Sequence, residues 1–201
     1  RAVDYLKVYS SWASVSSALD PYNIRSVYNK GLTYGSIPSV TYPNGIVNPN
    51  ILPEKSETWE MGVAFAFLKN RLNMDVTYYN MRDQNQIIQL ENSDASGFST
   101  RRVNGNEYRT RGLEVMLGAR VIENDNFSWR TAVNWTRSIR RLESIYGNQS
   151  RFGNLYQGDR ADAYYDQVWQ KNADGDLILN PTTGMPIRDP FPRYLGYFDP
   201  D

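Results

Sequence analysis

The chain of 201 residues contains no cysteine and no histidine. The first absence removes disulfides, thiolate nucleophiles and cysteine-based zinc sites, and it leaves the redox compartment undetermined. The second removes the Ser-His-Asp triad, histidine-ligated metals and the commonest general base, so most hydrolytic schemes lose a necessary part. Neither sign of charge prevails, because 22 Lys and Arg balance 22 Asp and Glu. A net charge of zero gives no electrostatic reason to expect nucleic acid, or an anionic membrane surface, as partner.

Long apolar runs are missing as well. No stretch approaches the roughly 18 consecutive apolar residues of a membrane helix, and Arg1-Ala2-Val3-Asp4 lacks the apolar segment of a signal peptide. A membrane barrel survives this test, because its strands alternate in polarity and escape a hydropathy scan.

What is present is alternation. The chain is 40% hydrophobic and 13% aromatic, enough for one sizeable domain. From Glu57 onward Trp59, Met61, Val63, Phe65 and Phe67 share one face, opposite Glu60, Gly62, Ala64 and Ala66. That period of two predicts a strand. Beyond the basic hinge Lys69-Asn70-Arg71, Leu72, Met74, Val76 and Tyr78 alternate with Asn73, Asp75, Thr77 and Tyr79, so a tight hairpin is predicted. Leu113, Val115, Leu117, Ala119 and Val121 form a third such run. After the polar turn 123–126, Phe127, Trp129, Thr131, Val133 and Trp135 form a fourth. Leu6, Val8 and Trp12 give a weaker one near the start. Strands are thus predicted near 3–13, 57–68, 72–81, 107–122 and 127–140.

The connections are unequal. Two are short turns, at 69–71 and 123–126, whereas 14–56, 82–106 and 141–201 read as long loops rich in Asn, Asp, Ser, Gly, Pro and Tyr. Compact domains seldom carry loops beyond about 15 residues unless they are functional. Short turns at one end and long loops at the other fit an all-β wall of antiparallel up-and-down strands, part of a transmembrane β-barrel. Aromatic residues stand at both ends of the runs, as in an interfacial girdle. A soluble carbohydrate-binding β-sandwich remains the alternative, since its inner faces also alternate and carry Trp. The sandwich requires Trp59, Phe65 and Trp135 to meet in a shared core, and the barrel requires them to face lipid.

Candidate chemistry is sparse. Asn172-Ala173-Asp174-Gly175-Asp176 offers oxygen atoms at alternate positions, but Leu177 and Thr183 occupy places where a calcium loop needs Gly and Glu. Asp174-Gly175 reads better as a type I′ hairpin turn than as a metal site. Glu57 and Glu60, three apart in a strand, fall on opposite faces and do not make a glycosidase pair. No catalytic residue and no cofactor site is predicted. Tyr156, Tyr164, Tyr165 and Trp169 are the candidate ligand-binding residues, because a ring offers a sugar an apolar face and a polar tip. The same rings, with Phe152, could instead form the small core of a long loop. Lys30, Arg101, Arg102, Arg109 and Arg111 read as solvated loop or lumen charges, or as a basic surface for anionic ligands.

Four segments carry a resemblance. They are "LPEKSETWEMGV" (52–63), "NRLNMDVTYYNMRDQNQI" (70–87), "VNGNEYRTRGLEVMLGA" (103–119) and "FSWRTAVNWTRS" (127–138). In this order and spacing they resemble the SusC/RagA family of TonB-dependent outer-membrane receptors, well over about residues 50–140 and more loosely at 1–13 and 155–200. Gly105, Tyr108 and Thr110 depart from the family's usual pattern at what reads as a strand entry. The resemblance implies a 22-stranded barrel closed by a plug, of which this chain would be a piece of the C-terminal half, with the plug absent. It also implies a cell outer-membrane nutrient importer that takes up glycans or peptides. Its partners would be a SusD-like surface lipoprotein and TonB, the latter through the missing N-terminal part. The final "YLGYFDPD" reads as a loop rather than as a closing strand.

Overall fold

The computed structural model describes residues 3–17, 19 and 24–198. The last three residues of "YLGYFDPD", together with Arg1 and Ala2, lie outside that range. Five long strands dominate: β1 (Val3–Ser16), β2 (Lys55–Phe67), β3 (Leu72–Gln84), β4 (Glu107–Glu123) and β5 (Ser128–Ser144). They form one antiparallel sheet in sequence order, so each strand pairs with the next. Against the expected bounds, β1, β2, β3 and β5 each run two to four residues further toward the long loops, whereas β4 begins at the expected Glu107 and gains one residue at its turn end.

Register turns the four alternating runs into one surface. Residues paired across an antiparallel ladder point to the same side. Val8, Val63, Val76, Val115 and Trp135 lie on a single rung spanning all five strands, and Leu6, Phe65, Met74, Leu117 and Val133 lie on another. The opposite face carries rungs such as Lys7, Ala64, Asp75, Met116 and Asn134. Tyr9 there donates a hydrogen bond to Asp75 Oδ1 (2.8 Å) and shares another with Thr77 (2.7 Å).

No second sheet of similar size covers the apolar face among the described residues. Val133 is 57% exposed, Trp135 48% and Trp59 40%, so the shared core demanded by a sandwich is not formed. The buried apolar residues gather elsewhere. Ile51, Val103, Leu142 and Ile145 lie at the long-loop end of the molecule, where the connections fold onto one another.

Those loops are structured. Ile87–Glu91 pairs with Thr100–Asn104, and Gly45–Ile46 adds to it in parallel, so two loops share a three-stranded ribbon. The Asn104 side chain fixes this ribbon to the start of β2: its Oδ1 accepts from Leu52 N–H (2.7 Å) and its Nδ2 donates to Leu52 O (2.8 Å). Buried Asn106 accepts from Tyr146 N–H (3.3 Å). The turn at 172–176 differs from the expected type I′ geometry, which needs two successive left-handed residues. Only Gly175 is left-handed (φ 92°), and Asn172 N–H bonds Asp176 O across a three-residue loop. Asn172 Oδ1 accepts from the N–H groups of Asp174 and Asp176, a turn-building role.

Candidate functional site: an uncovered apolar wall and a loop tyrosine cluster

Two features of the fold bear on function. The first is the outline of the apolar face. Its loop-side end carries Trp12 and Trp59 on one rung, Tyr78 and Leu113 on the rung two residues lower and Trp135 on the one two lower again; Ser10 interrupts it on β1, and Ile139 stands beyond Arg137 on β5. Its turn-side end passes from Leu6 through Phe67 and Leu72 to Val121, and on β5 Thr131 follows Val133. Rings thus stand along the loop-side end of the band, a placement that transmembrane barrels share.

Toward the loops the same face turns charged. Glu57, Arg82, Arg109 and Arg141 form one rung, with Arg111 and Arg137 below it and Glu107 and Glu143 above. Arg82 pairs with Glu107 (2.6 Å) and Arg109 with Glu143 (2.9 Å). Arg109 and Arg111, expected in a loop or the lumen, thus stand on the face that carries Leu113 and Val115.

The second feature is a cluster of rings in the last loop. Ala163–Asp166 pairs with Arg193–Tyr197, with an irregularity between Tyr164 and Tyr165. This places Tyr165 5.5 Å from Tyr194 (centroid to centroid), and Tyr194 5.6 Å from Tyr197. The Arg160 guanidinium lies 3.9 Å over the Tyr197 ring and makes a two-pronged contact with Asp162, Nε to Oδ1 at 2.9 Å and Nη2 to Oδ2 at 2.7 Å. Tyr165, Tyr194, Tyr197 and Arg160, with Asp159, Arg141 and Ala163, line a cavity of about 350 Å³. Its electrostatics favour protonated phenols. Burial, with Asp159 beside it, pushes the Tyr165 phenol up, and the hydrogen bond shared with Tyr197 pushes Tyr194 up to about 12.

Of the four expected ligand-binding rings, the structure brings only Tyr165 into this cavity. Tyr164 packs on Phe198 (4.6 Å) and donates to Asp166 (2.8 Å), which raises the phenol and holds the Asp166 carboxyl below its ordinary value. Trp169 lies under the Arg188 guanidinium (4.8 Å), and Tyr156 stands half-exposed outside the cluster. Tyr194, Tyr197 and Arg160 were not singled out from the sequence. The available signal was the short stretch 193–197, which carries two tyrosines, as does 163–166. A cavity of rings with one buried cation and one carboxylate can stack on a ring or chain and bond its polar groups.

Known proteins place these features. A family model described as "TonB dependent receptor-like, beta-barrel" matches residues 1–196. TonB-dependent receptor P3 of Formosa agariphila is 29% identical over 107 residues, covering 51% of this chain and 11% of that protein. TonB-dependent receptor P39 of the same organism is 26% identical over 135 residues, covering 67% and 13%. Among solved structures, the RagAB peptide transporter superimposes with a TM-score of 0.75 at 13% identity, over 97% of this chain and 24% of that one. The RagAB importer in its open-open state gives 0.76 at 12% identity, over 97% and 23%. The chain therefore spans well under a fifth of the length of these curated relatives and about a quarter of the structural ones. The match of the family model over nearly the whole chain, on an open antiparallel sheet with an uncovered apolar face, shows that the protein belongs to the TonB-dependent receptor-like β-barrel family.

Proposed function

We propose that this chain is a five-strand section of the wall of an outer-membrane, TonB-dependent nutrient importer, with its long loops on the extracellular side. The observation that supports this most directly is the apolar face that runs across all five strands and stays uncovered among the described residues, opposite a polar face, as in the wall of a transmembrane barrel. The polar face then lines the lumen. In this reading the loop cavity around Tyr165, Tyr194, Tyr197 and Arg160 contacts the transported molecule, a glycan or peptide fragment, or the SusD-like lipoprotein that covers the mouth. Energy from TonB enters through a plug elsewhere in the receptor. The work of this section is to form the wall and recognise cargo, not to break bonds.

Single cysteines introduced at Val133 and Asn134 of the intact receptor, in a background cleared of any other cysteine, carry spin labels at defined positions; this chain itself has none to remove. In lipid, the label at 133 should collide with dissolved oxygen and be shielded from a water-soluble nickel reagent, and the label at 134 should do the reverse. Equal exposure to the nickel reagent at both positions would overturn the assignment of the face.

A further inference from the structure

The chain is neutral overall, yet its arginines are unevenly placed. Arg109, Arg111 and Arg141 converge, with Ile139, Leu142, Glu143, Gln157 and Gly158, on a cavity of about 670 Å³ at the loop-side rim. Three guanidinium groups face one carboxylate there. Arg109 Nη2 is engaged by Glu143 (2.9 Å), whose Oε2 also lies 3.8 Å from Arg82 Nε; Arg109 Nε and Glu143 Oε2 are both buried without a hydrogen-bond partner among the described residues. Arg141 spends one nitrogen on Gly158 O (2.8 Å), and Arg111 forms no ion pair among the described residues. One carboxylate leaves the three guanidinium groups short of negative charge, and an anion beside them would supply it and take up the unused donor of Arg109.

The position of the cavity selects the anion. Arg111 is the next residue outward from Leu113 on the apolar face, and Arg141 shares an edge strand with Trp135 and Val133. An anion bound here stands immediately above a greasy surface, within reach of a molecule whose tails lie on Leu113, Val133 and Trp135. A freely diffusing anion gains nothing from that neighbourhood. A lipid gains burial of its chains and charge-assisted bonds to its head at the same place, and guanidinium forks match phosphate oxygens in pairs.

We propose that Arg109, Arg111 and Arg141 form a binding site on the outer wall of the barrel for the phosphate headgroup of a membrane lipid in the extracellular leaflet. This rests on the apolar face meeting hydrocarbon, as proposed above. Gln157 and Gly158, from the loop hydrogen-bonded to the end of β5, form the far wall and can bond sugar or glycerol hydroxyls next to the phosphate.

The test uses the full receptor in detergent, loaded with lipid A or with lipid A stripped of its phosphates, then desalted and examined by native mass spectrometry for retained lipid. The parent should hold lipid A at least about tenfold better than the stripped form, since each charge-assisted bond contributes roughly 1.5–3 kcal/mol. The combined change Arg109→Gln, Arg111→Gln and Arg141→Gln should abolish that preference, and the corresponding three-lysine variant should restore part of it. Heat-modified gel mobility, which distinguishes a folded barrel, keeps a misfolded variant from being mistaken for a result. Equal retention of both lipids by the parent, or an unchanged preference in the glutamine variant, overturns the proposal. Complete displacement by millimolar inorganic phosphate also overturns it, because the site would then be one for a soluble anion. Tryptophan quenching by brominated lipid reports on the apolar face separately, so failure of that reading is distinguishable from failure of this site.

Discussion

The Tyr79 ring lies across the ladder over Gly112, filling the space that a side chain at 112 would need. Tyr9 does the same over Gly62 one strand pair away, so the polar face is braced twice by a ring seated on a bare backbone. A strand-interior glycine normally weakens a sheet, and here close approach of an aromatic explains it. Gly112→Ala puts a methyl group into Tyr79 and should cost about 1–3 kcal/mol, read as a lower urea midpoint of the detergent-folded receptor. Tyr79→Ala combined with Gly112→Ala should recover part of that loss. A simple sum of the two single effects would exclude the contact as the cause.

The two faces should respond oppositely to charge. Val115→Arg places a cation near the middle of the apolar band and should cost about 2–4 kcal/mol of folding free energy in lipid. Thr136→Arg, on the polar face, should change it by less than about 0.5 kcal/mol. Folding titrations in lipid vesicles compare them directly.

Alkaline titration should show the tyrosine cluster. A phenol whose pKa is raised in the folded state contributes stability that is complete below its unfolded value near 10 and is lost as pH rises through the folded value of about 12. The loop around Tyr165, Tyr194 and Tyr197 should therefore loosen between about pH 10 and 12, with a late tyrosinate absorbance step. Tyr194→Phe should remove that late step.

Removing cluster rings should also weaken cargo binding if the cavity holds cargo. Tyr165→Ala with Tyr197→Ala should reduce affinity by about tenfold, since aromatic contacts are worth roughly 0.5–1.5 kcal/mol each beyond their burial. Growth on the limiting nutrient, or calorimetry once the nutrient is identified, measures the change. Tyr156→Ala, outside the cavity, serves as the control.

The turn between β2 and β3 holds Leu68, Lys69 and Asn70 in left-handed conformations, with φ of 54°, 57° and 59°. Proline fixes φ near −65°, so Lys69→Pro should destabilise the hairpin by more than about 1 kcal/mol, whereas Lys69→Gly should be tolerated. Asn70 N–H donates to Asp4 Oδ2 (3.0 Å), so Asp4→Ala should loosen the same corner. Amide exchange at residues 68–71 reads both.

The wall was legible because a period of two announces a strand and its greasy side without reference to any neighbour, as Trp59 to Phe67 and Leu113 to Val121 illustrate. Heights were not legible. That Arg111 stands level with Trp59, and Trp135 level with Val63, depends on register, which long loops leave undetermined in a linear sequence. This is why Arg109 and Arg111 read as loop or lumen charges. The loop rings failed for a related reason. Tyr165 finds Tyr194 through a pairing some thirty residues apart, and the irregularity after Tyr164 sends the preceding tyrosine to Phe198 instead.

The upper end of β5 is already occupied on its free side. Leu142 N–H bonds Asp159 O (3.0 Å), Gly158 N–H bonds Leu142 O (2.8 Å) and Ala161 N–H bonds Arg140 O (2.8 Å). A neighbouring stave could therefore zip to β5 only below Arg140, and above that height the backbone of 158–161 takes its place, so this stretch of the lip is sealed by the loop itself.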